Sequence, residues 1–136
     1  MKNNKNYTIL KRILSYSADI SSIRNSINDD FQTYKNNIVY KHAINMCIQQ
    51  IGELSKHLTT EFKDFYSEIP WQSIRGIRNI FAHEYDSLDL DEIWATATKD
   101  IPELEKFCNN IVKQYEILDQ GAVKSRDIEE EDELEL

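Results

Sequence analysis

The chain has 136 residues, 40% of them apolar and 29% charged, with a formal net charge of −8. That length suits one domain around a single core, and no apolar run approaches the roughly 18 residues that span a bilayer. The acidity argues against a polyanionic partner, but eight acids set against Lys124 and Arg126 put −6 between Asp119 and Leu136, leaving only −2 on residues 1–118.

The opening residues "MKNNKNYTIL" are too polar for a signal peptide, so a cytoplasmic protein with no membrane contact is expected. A first helix follows from Ile9, Ile13, Tyr16, Ile20, Ile23 and Ile27, which recur at helical steps of three and four. "NDDFQTYKNN" is expected to connect it to a second helix, whose stripe is Tyr40, Ile44, Cys47, Ile51, Leu54 and Leu58. Gly52 interrupts that helix at about 1 kcal/mol against alanine and would suit close approach of a neighbour. His42 and His57 lie on the same helix without matching partners and read as surface or interhelical residues.

"TTEFKDFYSEIP" leads to a third helix, with Pro70 suited to its first turn. "DSLDLDE" offers aspartates as N-caps for a helix beginning near Leu90. Pro102 is expected to break or kink that helix, because its ring collides with the carbonyl four residues back. A short helix to about Thr98 and a longer one from about Ile101 to Leu118 result, the latter striped by Leu104, Cys108, Ile111, Tyr115 and Leu118. The reading is an all-α antiparallel bundle of four to five helices over residues 1–118, with an acidic tail over 119–136. Cys47 and Cys108 stand apart from any zinc spacing and read as small buried hydrophobes in a reducing compartment.

The third helix carries the chemistry. On a wheel of about 100° per residue, Ile74, Ile77, Ile80 and Phe81 face the core, while Arg75, Arg78, Asn79 and His83 share the other side. Tyr85 lies just beyond. A cation in a last turn complements the helix dipole, and surface arginines need no function. That bland account covers His83 and Arg78, but not the gathering of two guanidiniums, an amide and a tyrosine. Histidine exchanges a proton near neutral pH, and arginine grips a phosphate by a bidentate fork. Together they suit RNA cleavage in which the 2′-hydroxyl attacks the adjacent phosphorus. No cluster here looks built for a metal, and no cofactor is expected.

Arg78, four residues, His83, one residue and Tyr85 match the R-x(4–6)-H-x-Y motif of the HEPN superfamily. With "IGELSKHL", "IPWQSIRGIRNIFAHEYDSLDLDEIW" and "DIPEL" around it, residues 7 to 118 resemble the HepT-like branch. The resemblance implies a homodimeric helical bundle whose motif regions meet at a cleft, acting as a metal-independent ribonuclease. It implies the role of toxin beside a minimal nucleotidyltransferase antitoxin that transfers AMP onto the motif tyrosine, with the possibility of a larger complex of the two. Carried over by position, Arg78 and His83 would be catalytic and Tyr85 adenylylated. Asn79 would orient its neighbours or the RNA, and Arg75 is added from the helical wheel as a phosphate contact. Two other readings stand beside this one: a non-catalytic dimerisation or nucleotide-binding module that docks a nucleotidyltransferase, and a helical protein that engages partners through its tail.

Overall fold

The computed structural model describes residues 4–71, Ile74 and 89–129, from 119 onward as backbone only. Among the described residues every regular element is helical: α1 (Lys5–Ser26), α2 (Phe31–Asn36), α3 (Ile38–Lys56), α4 (Thr60–Phe65), α5 (Leu90–Ala95), a π-turn (Thr96–Asp100) and α6 (Ile101–Glu129). The all-α expectation holds. None of these helices is long and apolar enough to cross a membrane.

Local chemistry sets each start. The side chains of Asn4, Asp30, Asn37, Thr59 and Asp89 each accept a backbone N–H of the helix they cap. Each satisfies a donor that the first turn leaves open. The predicted aspartate cap before Leu90 is therefore Asp89, bonded to the Glu92 amide at 3.2 Å. α1 stops where Asn28 and Asp29 turn left-handed, at φ 54° and 56°, a conformation that Asn and Asp tolerate better than most residues. Arg24 locks the turn through a two-pronged contact with Asp29, Nε–Oδ1 2.6 Å and Nη2–Oδ2 3.0 Å.

α1 packs chiefly against α3 and next against α6. The three apolar stripes meet there, with Ile9, Ile13 and Ile20 of α1 against Ile44, Cys47 and Ile51 of α3 and Leu104, Cys108 and Ile111 of α6, all buried. Tyr7 reinforces the α1–α6 seam: its O–H donates to Glu116 Oε2 at 2.8 Å, and its ring meets Tyr115 edge-on at 5.9 Å.

Four expectations are corrected, one of them in part. The two connectors contain helices of their own, α2 and α4, because each supplies an N-cap and one deeply buried aromatic, Tyr34 and Phe62. Before Pro102 the expected division into a short helix and a longer one from Ile101 is present, but the backbone between them does not leave the helical region. The Ile101 N–H reaches back to the Thr96 carbonyl, and the backbone stays helical from Thr96 through Ile101. A widened turn of this kind accommodates the ring that would otherwise strike a carbonyl, and the hydroxyls of Thr96 and Thr98 bond the Glu92 and Trp94 carbonyls beside it. α6 runs on past Leu118 to Glu129, since Gly121 is the weakest helix former on the way and costs only about 1 kcal/mol. Leu118 is also 63% exposed rather than part of the core stripe.

Cys47 and Cys108 are buried and free. Burial, helped by the Asp19 carboxylate, pushes the Cys47 thiol up from 9.0 to about 11. Burial, helped by Glu105, pushes Cys108 up to about 12. Both folded values lie above the unfolded one, so the native state keeps protons that the unfolded chain releases in alkali. The stability these thiols protect is intact below about pH 9 and is lost as pH rises toward 11–12. Urea midpoints should fall over that window, and should fall less steeply in a Cys47→Ala, Cys108→Ala double variant. Equal slopes in the two proteins would contradict the assignment.

Candidate functional site

The motif residues Arg75, Arg78, Asn79, His83 and Tyr85 lie outside the described residues, as do Ile77, Ile80 and Phe81 of the expected core face. What is described is the frame on either side of them. On the N-terminal side, the Ile74 N–H bonds the Pro70 carbonyl at 3.2 Å, closing one helical turn. Ile74 is 7% exposed and joins the core, as its place on the wheel predicts. Trp71 anchors the approach. Its indole N–H donates to the Tyr66 carbonyl at 3.0 Å, and its ring lies 6.1 Å from Phe62 and 6.0 Å from Phe107. On the far side, Asp89 opens α5, and buried Ile93 fixes that helix to the core.

Two contacts hold α4 in place beneath this frame. The Thr59 N–H donates to Asn6 Oδ1, and the Asn6 amide donates to Thr59 Oγ1, both at 3.0 Å. The start of α1 and the cap of α4 are thus bonded in both directions. Between the end of α3, α4 and the approach to Trp71 opens a cleft of about 520 Å3. Ser55, Thr60, Lys63, Asp64, Ser67 and Trp71 line it. The sequence reading did not single these residues out. Their signal there is weak, because hydroxyls and charges in a connector are ordinary, and only the fold of α4 brings them together.

Among the described residues no group of three or more His, Cys, Asp or Glu side chains is placed to hold a metal ion. His42 is exposed on α3. His57, the C-cap residue of α3, is exposed as well, with Nε2 3.5 Å from Glu53 Oε2 one turn back. Neither joins the cleft.

Residues 13–111 match the family model described as Ribonuclease HepT-like. The chain belongs to the HepT-like ribonuclease family. The matched stretch contains α1 from Ile13 onward, α2 to α5, α6 as far as Ile111, and every motif residue. A protein of Methanocaldococcus jannaschii assigned as an RNase is 33% identical over 104 residues, covering 76% of this chain and 88% of the relative. A second protein assigned as an RNase in the same organism is 32% identical over 111 residues, covering 82% and 90%. A protein of Thermococcus cleftensis assigned as ribonuclease HepT is 35% identical over 63 residues, 46% of this HepT-like chain and 57% of its own. No solved structure matches the chain.

Proposed function

We propose that this HepT-like chain is a metal-independent RNA endonuclease. It serves as the toxin of a toxin–antitoxin pair in the cytoplasm and is silenced when a nucleotidyltransferase places AMP on Tyr85. The observation that carries the reading is the spacing of Arg78, His83 and Tyr85 inside the stretch that matches a ribonuclease family. The names of the relatives, RNase and ribonuclease HepT, support the same class.

The chemistry needs few groups. Neutral His83 takes the proton of the 2′-hydroxyl, whose oxygen attacks the adjacent phosphorus. The 5′-oxygen leaves and is protonated by water, so the fragments carry a 2′,3′-cyclic phosphate and a 5′-hydroxyl. Arg78 holds the phosphoryl oxygens as negative charge gathers on them, with Arg75 beside it. Asn79 orients the pair or the RNA. One copy offers few cations to a polyanion. A two-fold dimer doubles them at a shared groove.

Adenylylation adds bulk and a phosphodiester charge next to the place where RNA phosphate must sit, so it excludes substrate by volume and by repulsion. The test compares protein purified alone with protein incubated with its cognate nucleotidyltransferase and ATP. Intact mass and RNA cleavage in EDTA are read on both. Unmodified protein should cleave, AMP-bearing protein should not, and Tyr85→Phe should gain no AMP mass. AMP addition that persists in Tyr85→Phe, or undiminished cleavage after modification, would overturn the switch.

A further inference from the structure

α6 runs on past the start of α1, the helix it packs against. Its Tyr115 and Glu116 meet the first turns of α1, through the Tyr7 ring and hydroxyl and through Lys11 Nζ, 3.9 Å from Glu116 Oε2. α1 begins at Lys5, yet α6 continues to Glu129. Residues 119–129 add about 16 Å of helix beyond that seam. Ile117 and Leu118, where the extension starts, are aliphatic and 66% and 63% exposed.

The exposed pair opens a longer stripe. At about 100° per residue, Ile117, Leu118, Gly121, Ala122, Ser125 and Ile128 fall within one sector of about 140°. From 117 to 128 the charged residues Asp119, Lys124, Arg126 and Asp127 all fall outside it, as does Val123. The sector is centred about 80° away from Leu104, Cys108, Ile111 and Tyr115, which pack on the bundle. It is a second apolar face, turned aside from the seam with α1. An amphipathic helix ordinarily buries such a stripe.

The charge around this face selects what can cover it. Residues 119–136 carry −6, against −2 on residues 1–118. Asp127 and Glu129 stand in the last turn of α6, where the helix dipole is already negative and acids weaken the helix end. Glu130, Glu131, Asp132, Glu133 and Glu135 follow in the sequence. A second copy laid along the same face would add another −6 to the seam. A partner with lysine or arginine beside its apolar residues would neutralise both the carboxylates and the dipole.

We infer that the α6 face from Ile117 to Ile128 docks a basic amphipathic helix of a partner protein. The two helices meet apolar side to apolar side, with the partner's cations flanking the seam. Apolar contact supplies the attraction, and the acids select the partner's charge. The chemistry is independent of RNA cleavage and goes beyond the ribonuclease reading.

The probe is a fluorescein-labelled peptide of roughly three heptads, with leucine at the seam positions and lysine elsewhere, titrated with the full chain. A scrambled peptide of the same composition keeps the charge without the seam. A leucine–glutamate peptide keeps the seam with the opposite charge. Anisotropy is read for wild type, for the double variant Ile117→Ser, Leu118→Ser, and for Ile128→Ser. The leucine–lysine helix should bind wild type, each variant should weaken that binding about tenfold, and added salt should weaken it further. The scrambled peptide should bind at least about tenfold more weakly, and the leucine–glutamate peptide should not bind. Ile117 and Leu118 are exposed, so the double variant should melt as wild type does; Ile128→Ser carries the test if it does not. A leucine–lysine helix that fails to bind, or binds no better than its scrambled form, would overturn the docking face. So would variants that bind as wild type does. Sedimentation showing a wild-type self-association that the double variant abolishes, with peptide binding unchanged, would make a second copy the occupant and the proposal wrong.

Discussion

Replacing Tyr34 by alanine should lower the unfolding free energy by about 3–5 kcal/mol, the range for emptying an aromatic site in a core. Tyr34 is fully buried although α2 is only one and a half turns or so of helix. Its ring stacks on Trp94 at 5.0 Å, with an interplanar angle of 28°, and lies 6.1 Å from Phe31. Its hydroxyl donates to Asn45 Oδ1 at 2.5 Å, and Asn45 is itself 1% exposed on α3. One side chain therefore joins α2, α3 and α5. Tyr34→Phe separates the two contributions. It keeps the ring and leaves the Asn45 oxygen without its donor, at a cost of about 1–3 kcal/mol. Against a typical domain stability of about 5–15 kcal/mol, the alanine variant should show a large fall in urea midpoint. A loss under about 1 kcal/mol for Tyr34→Ala would mean that the cluster does not hold α2 in place.

Much of this bundle is legible from spacing. Ile9, Ile13, Ile20, Ile44, Cys47, Ile51, Leu104, Cys108 and Ile111 were all expected on core stripes, and all are buried. Periodicity works for them because a long amphipathic helix repeats its signal over several turns. α2 and α4 escape it because six residues are too few to repeat. What marks them is a capping side chain and a single aromatic, and both features also occur in plain connectors. Pro102 points correctly to an α-helical start at Ile101, yet the backbone before it stays helical. The rule that proline stops a helix assumes fixed i→i−4 bonding, and a single π-turn lifts that assumption. The motif is visible because its three residue types sit close together in the sequence. The cleft is not, because Ser55, Lys63 and Trp71 meet only after α3 and α4 have folded against each other.

On the proposed reading, the largest functional effect is expected from His83→Ala. Removing a general base typically lowers a rate by about 100- to 10,000-fold. In this site the 2′-hydroxyl has a weakly acidic proton, and its oxygen is a poor nucleophile until that proton goes. If Arg78 holds the phosphate as proposed, RNA binding should persist in a His83→Ala protein while cleavage fails. That split separates a chemical role from a helix-terminal cation that only complements a dipole. A dipole role predicts a loss of stability of a few tenths to about 1 kcal/mol and no change in turnover per folded molecule. The scale of the expected change in rate keeps the two accounts well apart.

The most direct measurement of the central claim is cleavage of total RNA in the presence of EDTA by purified wild-type protein and His83→Ala, side by side. Intact mass would first establish that Tyr85 carries no AMP in either. The account predicts cleavage by wild type, with fragments ending in 2′,3′-cyclic phosphate and 5′-hydroxyl, and a loss of at least about 100-fold in the variant. Wild-type protein that leaves RNA intact, or a variant that cleaves as fast as wild type, would contradict it.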